Sequence, residues 1–104
     1  MKVRYTETAI AEIEEICSYI ARDNERAAAD VVAALERTVA AIARRPQMAP
    51  IVHDGYVRAK LVERFQYRVF YEVAAGEIIV RNVRSTRPPA AVGISRAMMH
   101  EAQA

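Results

Sequence analysis

Ala9, Ile13, Ile16 and Ile20 recur at intervals of four, three and four, while Glu12, Glu14, Glu15 and Ser18 fall mostly between them. That spacing places one apolar stripe along an α-helix. Thr6 followed by Glu7 supplies an N-cap and a first-turn acid, and the alternating Lys2-Val3-Arg4-Tyr5 ahead of it predicts a short strand. Asp23-Asn24-Glu25 breaks the pattern and recaps it, after which Ala28, Val32, Leu35, Val39 and Ile42 repeat the spacing as far as Arg44-Arg45-Pro46. So short a connection makes the two helices antiparallel neighbours, whose apolar stripes need a cover from elsewhere in the chain.

The second half changes period from helical to alternating. Pro46 to Gly55, with Pro50 and Asp54-Gly55, reads as loop. Val57, Ala59 and Leu61 then alternate with Arg58 and Lys60, and Tyr67, Val69, Tyr71 and Val73 alternate with Arg68 and Glu72, which predicts strands over 56–62 and 67–73. Ala74-Ala75-Gly76-Glu77 is a tight reversal, and the β-branched run from Ile78 to Arg84 is the partner strand. Pro88-Pro89 stops it, since neither proline donates to a ladder. Ala90 to Ala104 either forms a short helix capped by Ser95 or stays open. The predicted fold class is α+β: an N-terminal strand, then an antiparallel helical hairpin packed on a mainly antiparallel sheet that a C-terminal three-strand meander completes. At 104 residues, without repeat or linker, the chain is expected to be a single domain, with 88–104 as its tail.

Composition narrows the function classes. The only cysteine, Cys17, allows no internal disulfide and no Cys-x-x-Cys metal site, and a reducing cytoplasm is the compartment that fits. Gly55, Gly76 and Gly93 are too widely spaced for a phosphate-cradling loop, so no nucleotide cofactor is expected. No apolar run reaches the roughly 18 residues of a membrane span, and the charged start lacks a signal-peptide core. A soluble protein that is not exported by that route is expected. Net charge is only +2, yet residues 1–54 carry seven Lys/Arg against nine Asp/Glu, and residues 55–104 carry eight against four. An anionic partner for the second half is one reading of that asymmetry, and a solvated basic face is the other.

Few residues qualify for acid/base or metal chemistry. His53 and His100 have no neighbours at metal or triad spacing, and Glu12, Glu14 and Glu15 fall on the polar side of a helix, where solvation or pairing with arginine is the usual role. Cys17 sits beside the apolar stripe with no nearby base or helix N-terminus to make a thiolate. No catalytic, metal or cofactor site is expected. The informative residues are the cations of the meander: Arg58, Lys60, Arg64, Arg68, Arg81, Arg84 and Arg87. If they converge on the sheet face opposite the helices, that face suits nucleic-acid phosphates or an acidic peptide; alternatively Glu63, Glu72 and Glu77 neutralise some of them across strands.

Three stretches together carry a family resemblance. They are the opening Thr6-Glu7-Thr8-Ala9 with Glu14-Glu15-Ile16 and Tyr19-Ile20, the core Val62-Glu63-Arg64-Phe65-Gln66-Tyr67-Arg68-Val69-Phe70-Tyr71-Glu72-Val73, and the closing Ile79-Val80-Arg81-Asn82-Val83-Arg84-Ser85-Thr86-Arg87. Over about residues 2–89 the chain resembles the ParE/RelE toxin superfamily of bacterial type II toxin-antitoxin systems. The middle stretch, similar to the family's arginine-Phe-Pro-Tyr-x-Ile-x-Tyr-x-Val pattern, is the most specific of the three. The chain departs from the family at Ser85, where many relatives carry histidine, and at Pro88-Pro89, where arginine and aspartate are usual.

The resemblance implies a toxin held by a cognate antitoxin, whose disordered acidic-apolar segment folds onto it in a hetero-oligomer, with no membrane partner. It also implies one of two targets. A RelE-like toxin cleaves mRNA on the ribosome and needs a proton donor, commonly a tyrosine or histidine near the C-terminus. Here no tyrosine follows Tyr71, and His100 is the only late histidine. A ParE-like toxin inhibits DNA gyrase by binding, which requires no acid/base set, and this branch fits the chain better. A toxin-derived module that only binds antitoxin is the third alternative.

Overall fold

The computed structural model describes residues 1–86; Arg87 and the tail 88–104, with its alternatives of a short helix or an open end, lie outside the described residues. The elements are β1 (Lys2–Tyr5), α1 (Glu7–Ala21), α2 (Glu25–Arg44), β2 (Ile51–His53), β3 (Val57–Leu61), β4 (Tyr67–Ala74) and β5 (Glu77–Ser85). Both helices start where their capping side chains place them. The Thr6 hydroxyl accepts the Ala9 N–H at 3.0 Å, and the Asn24 amide oxygen accepts the Ala27 N–H at 3.0 Å. Each cap satisfies a backbone donor that the helix itself cannot, an effect of about 1 kcal/mol.

The strands form one sheet in the order β1-β5-β4-β3-β2, with β1 parallel to β5 and the remaining neighbours antiparallel. The α+β architecture is as expected, with one extension: the end of the predicted loop, Ile51–His53, is a strand, so four consecutive strands meander instead of three. Asp54-Gly55 makes this possible. Both residues have positive φ (52° and 80°), and the Tyr56 N–H donates to the His53 carbonyl at 3.2 Å, the geometry of a two-residue hairpin. A strand of three exposed residues is too short to show a period of two. The β4–β5 reversal uses the same backbone at Ala75 and Gly76, with φ of 51° and 75°.

Both helices pack on one face of the sheet. Ala9, Val31, Leu35 and Ile42 meet Val69, Tyr71, Ile78, Val80 and Val83 in the core. The predicted α2 stripe is rotated slightly: Val31, Ala34 and Thr38 are buried, whereas Val32 is only half-buried. On α1 only Ala9 is fully buried, and Ile13, Ile16 and Ile20 remain partly exposed. In β5, Phe70 faces Asn82 and Tyr71 faces Val80, so Arg81 has no partner on β4. This one-residue bulge shifts the alternation and lets Ile78, Val80 and Val83 all point into the core.

Beyond α2 the chain lies back over β3 and β4. The buried Tyr71 hydroxyl donates to the Pro46 carbonyl at 2.7 Å, and the Arg58 guanidinium donates to the Ala49 carbonyl at 2.6 Å and the Gln47 carbonyl at 3.4 Å. Burial pushes the Tyr71 phenol above the ordinary value of 10.0, partly offset by the Ala49 N–H and the Arg58 charge. The folded state therefore holds this proton more tightly than the unfolded chain. Its contribution to stability is complete below pH 10 and declines as pH rises through the higher folded value. Tyr71→Phe should cost about 1 kcal/mol, lower Tm by about 4–8 °C, and flatten the loss of stability above about pH 10 in denaturation at graded alkaline pH. Ala75→Asn, which suits the left-handed first position of this turn, should stabilise by about 1 kcal/mol in thermal melts.

Candidate functional site

Directly opposed residues on neighbouring strands share a face, so the register places each predicted cation. Arg58 lies opposite Tyr71 and Lys60 opposite Val69; both partners are core residues, which sets these two cations on the helix-bearing side of the sheet. Arg68 lies opposite both Leu61 and Arg84, and Glu72 opposite Ile79, all on the open side. Arg81 reaches that side as well, because it pairs with Glu72. Arg64 occupies the β3–β4 turn with a φ of 75°, and Arg87 is outside the described residues. The expected gathering on one face is thus split by the pleat: Arg68, Arg81 and Arg84 on one side, Arg58 and Lys60 on the other, Arg64 at the tip.

Several of these guanidinium groups are occupied. Arg58 holds the carbonyls of the 46–50 segment, Arg84 contacts Glu12 at 3.4 Å, and Arg81 is bound to Glu72. The hydrogen bond that Arg81 donates to the Glu72 carboxylate raises Arg81 above its ordinary value, and the nearby Tyr56 and Asp54 add to the preference for charge. Among the described residues, Lys60, Arg64 and Arg68 have no ion pair. Glu77 turns to Lys2 and Arg4 of β1, at 3.9 and 3.3 Å, instead of to the late-chain arginines. Of the predicted cations among the described residues, those without an ion pair therefore lie on the β3–β4 hairpin, Arg64 and Arg68 beside the 55% exposed Leu61 and Lys60 on the other face.

Glu12 has a definite structural task that its place on a polar helix side does not reveal. One carboxylate oxygen accepts the Val83 N–H at 2.9 Å and the Asn82 amide at 3.3 Å; the other accepts from Arg84. It fastens α1 to β5 where β1 has already ended. Burial pushes the Cys17 thiol up, opposite to the shift of a reactive thiolate. His53 is exposed and contacts only its neighbour Asp54, at 3.1 Å, among the ion pairs of the described residues. No group of three metal-binding side chains occurs among them, and none of their helices is long and apolar enough to cross a membrane.

One residue near the arginines escaped the sequence reading. Tyr56, half-exposed, stands near Arg81 because the Asp54-Gly55 turn brings it there. Between α1, α2 and the sheet lies an apolar pocket of about 160 Å³ lined by Ile13, Val32, Val39 and Val80, with Tyr5 and Glu36 also in its wall. Burial, reinforced by the Glu36 charge, raises the Tyr5 phenol above its ordinary value.

Residues 3–88 match the family model described as the ParE toxin of the type II toxin-antitoxin system parDE. The chain belongs to this family. Among solved structures it resembles a chain of the chromosomal ParDE toxin-antitoxin system from P. aeruginosa, with a TM-score of 0.72 and 20% identity over 84% of this chain and 97% of the other. It also resembles the isolated E. coli RelE toxin, with a TM-score of 0.61 and 14% identity over 95% and 96% of the two chains. At these identities the likeness is one of fold. No curated protein sequence matches the chain. Within this ParE-type fold, Glu12→Ala should cost about 1–3 kcal/mol in chemical denaturation by leaving the Val83 N–H without its acceptor, whereas Glu12→Gln, which keeps an acceptor, should cost less.

Proposed function

We propose that this ParE-type toxin inhibits DNA gyrase by binding it, and that a cognate antitoxin neutralises it by folding over its exposed surfaces. The observation that carries the reading is the distribution of the cations. Stabilising a cleaved phosphodiester requires preorganised donors aimed at one developing charge. Arg58 and Lys60 lie across the sheet from Arg81, and Arg58, Arg81 and Arg84 already hold protein oxygens. A docking surface has no such demand. Arg64 and Arg68 around exposed Leu61 combine charge with an apolar anchor, which suits a protein partner.

One electrostatic coupling favours a second reading. Tyr56 lies close enough to Arg81 to favour its charged form, and a phenol within reach of a guanidinium is the pairing that a RelE-like mRNA endonuclease would need for proton transfer and charge stabilisation. The two readings separate cleanly in assays. Supercoiling by purified gyrase should be inhibited at near-stoichiometric toxin, and Arg64→Ala with Arg68→Ala should raise the required concentration about tenfold; no inhibition at large excess rejects the proposal. Primer extension on translated message should show no new ends. Cuts that vanish in Tyr56→Phe or Arg81→Ala would replace gyrase with the ribosome as target, and absence of growth arrest on expression without antitoxin would leave only a binding module.

A further inference from the structure

The pocket between the helices and the sheet has a chemistry opposite to that of the hairpin cations. Its wall is almost entirely aliphatic, from Ile13, Val32, Val39 and Val80, and its volume of about 160 Å³ is close to that of apolar protein cavities of roughly 150 Å³ that accept benzene. Ile13 and Val32 are only half-buried, so the space opens to solvent along the groove between α1 and α2. Glu36 is exposed beside it and has no ion pair among the described residues. The surrounding layer shares its sign: residues 7–44 carry eight Asp/Glu against four Lys/Arg.

We infer that this pocket receives one aromatic or branched aliphatic side chain of the antitoxin, and that a lysine or arginine next to that anchor pairs with Glu36. The inference rests on the toxin–antitoxin reading and sharpens it. An acidic segment alone suits the cations of the β3–β4 hairpin, but along the helical groove it meets carboxylates of its own sign. The partner therefore needs two unlike parts: acidic where it crosses the sheet, apolar with a flanking cation where it enters the groove. The carboxylate then selects against any antitoxin that places an acid at that position. The Tyr5 phenol offers a hydrogen-bond donor and acceptor at the same wall.

The experiment measures binding of the full-length toxin to the protein encoded by the adjacent gene, by calorimetry at low and high salt. Glu36→Lys should weaken binding at least tenfold at low salt, with a smaller loss at high salt, and Glu36→Gln should fall between it and the unchanged protein. Val32→Phe, which fills the space from the helix, should weaken binding about tenfold at either salt. The methyl resonances of Ile13, Val32 and Val39 should shift on saturation with the unchanged partner. Circular dichroism of each variant confirms folding, and Glu36, being on the surface, tests the charge without touching the core. Wild-type affinity in all three variants, with unmoved methyl signals, overturns the inference while leaving the toxin–antitoxin reading intact. No binding by the unchanged protein overturns both. Self-association that Glu36→Lys abolishes assigns the pocket to a second copy of the chain and overturns the antitoxin as its occupant.

Discussion

The far half of β5 has a strand neighbour on one side only, because β1 ends at Tyr5 while β5 continues to Ser85. Its remaining backbone groups need partners, and an unpaired strand edge invites wrong associations. The start of α1 provides the partners. The Thr6 N–H donates to the Val80 carbonyl at 3.0 Å, the Thr6 hydroxyl donates to the Arg81 carbonyl at 3.0 Å, and Glu12 accepts the Val83 N–H. A capping residue and a helical carboxylate thus do the work of a missing strand. The same contacts fix the angle at which α1 crosses the sheet, and so the shape of the groove it shares with α2.

The bulge at Arg81 belongs to the same arrangement. By leaving one residue of β5 without a partner on β4, it turns Val83 inward and sends Arg84 to the open face beside Arg68. Like charges directly opposed across strands repel, and Glu12 offsets this by holding Arg84. Arg68 is left as the more available of the two. One structural carboxylate therefore both secures a helix and decides which cation is presented to a partner.

Charge is sorted by layer as well as along the chain. The helices are acidic outside and leave an aliphatic pocket between them and the sheet, while the β3–β4 hairpin concentrates cations with no ion pair among the described residues. A toxin with two surfaces of opposite character can be recognised by one partner at both, or engage its target with one while the other is covered. The modest net charge of +2 conceals this division.

What could be read locally was legible in the sequence: Thr6 as a cap, Asp23-Asn24-Glu25 as a break and recap, the apolar periods of α1 and α2, and the β3, β4 and β5 strands all depend on residues within a turn or two of one another. The short strand β2 was missed because three exposed residues display no period, although Asp54-Gly55 marked its hairpin. The site was far less legible. Which face carries Arg58, why Arg81 binds Glu72, and how Glu12 meets Val83 depend on strand register, a one-residue bulge and a contact 71 positions apart along the chain. Side-chain alternation gives the relative phase of residues within a strand, but only packing against the helices assigns a phase to the inside. The sequence by itself determined the elements and their order, and the tertiary structure decided which of the charges are spent on holding it together and which remain for a partner.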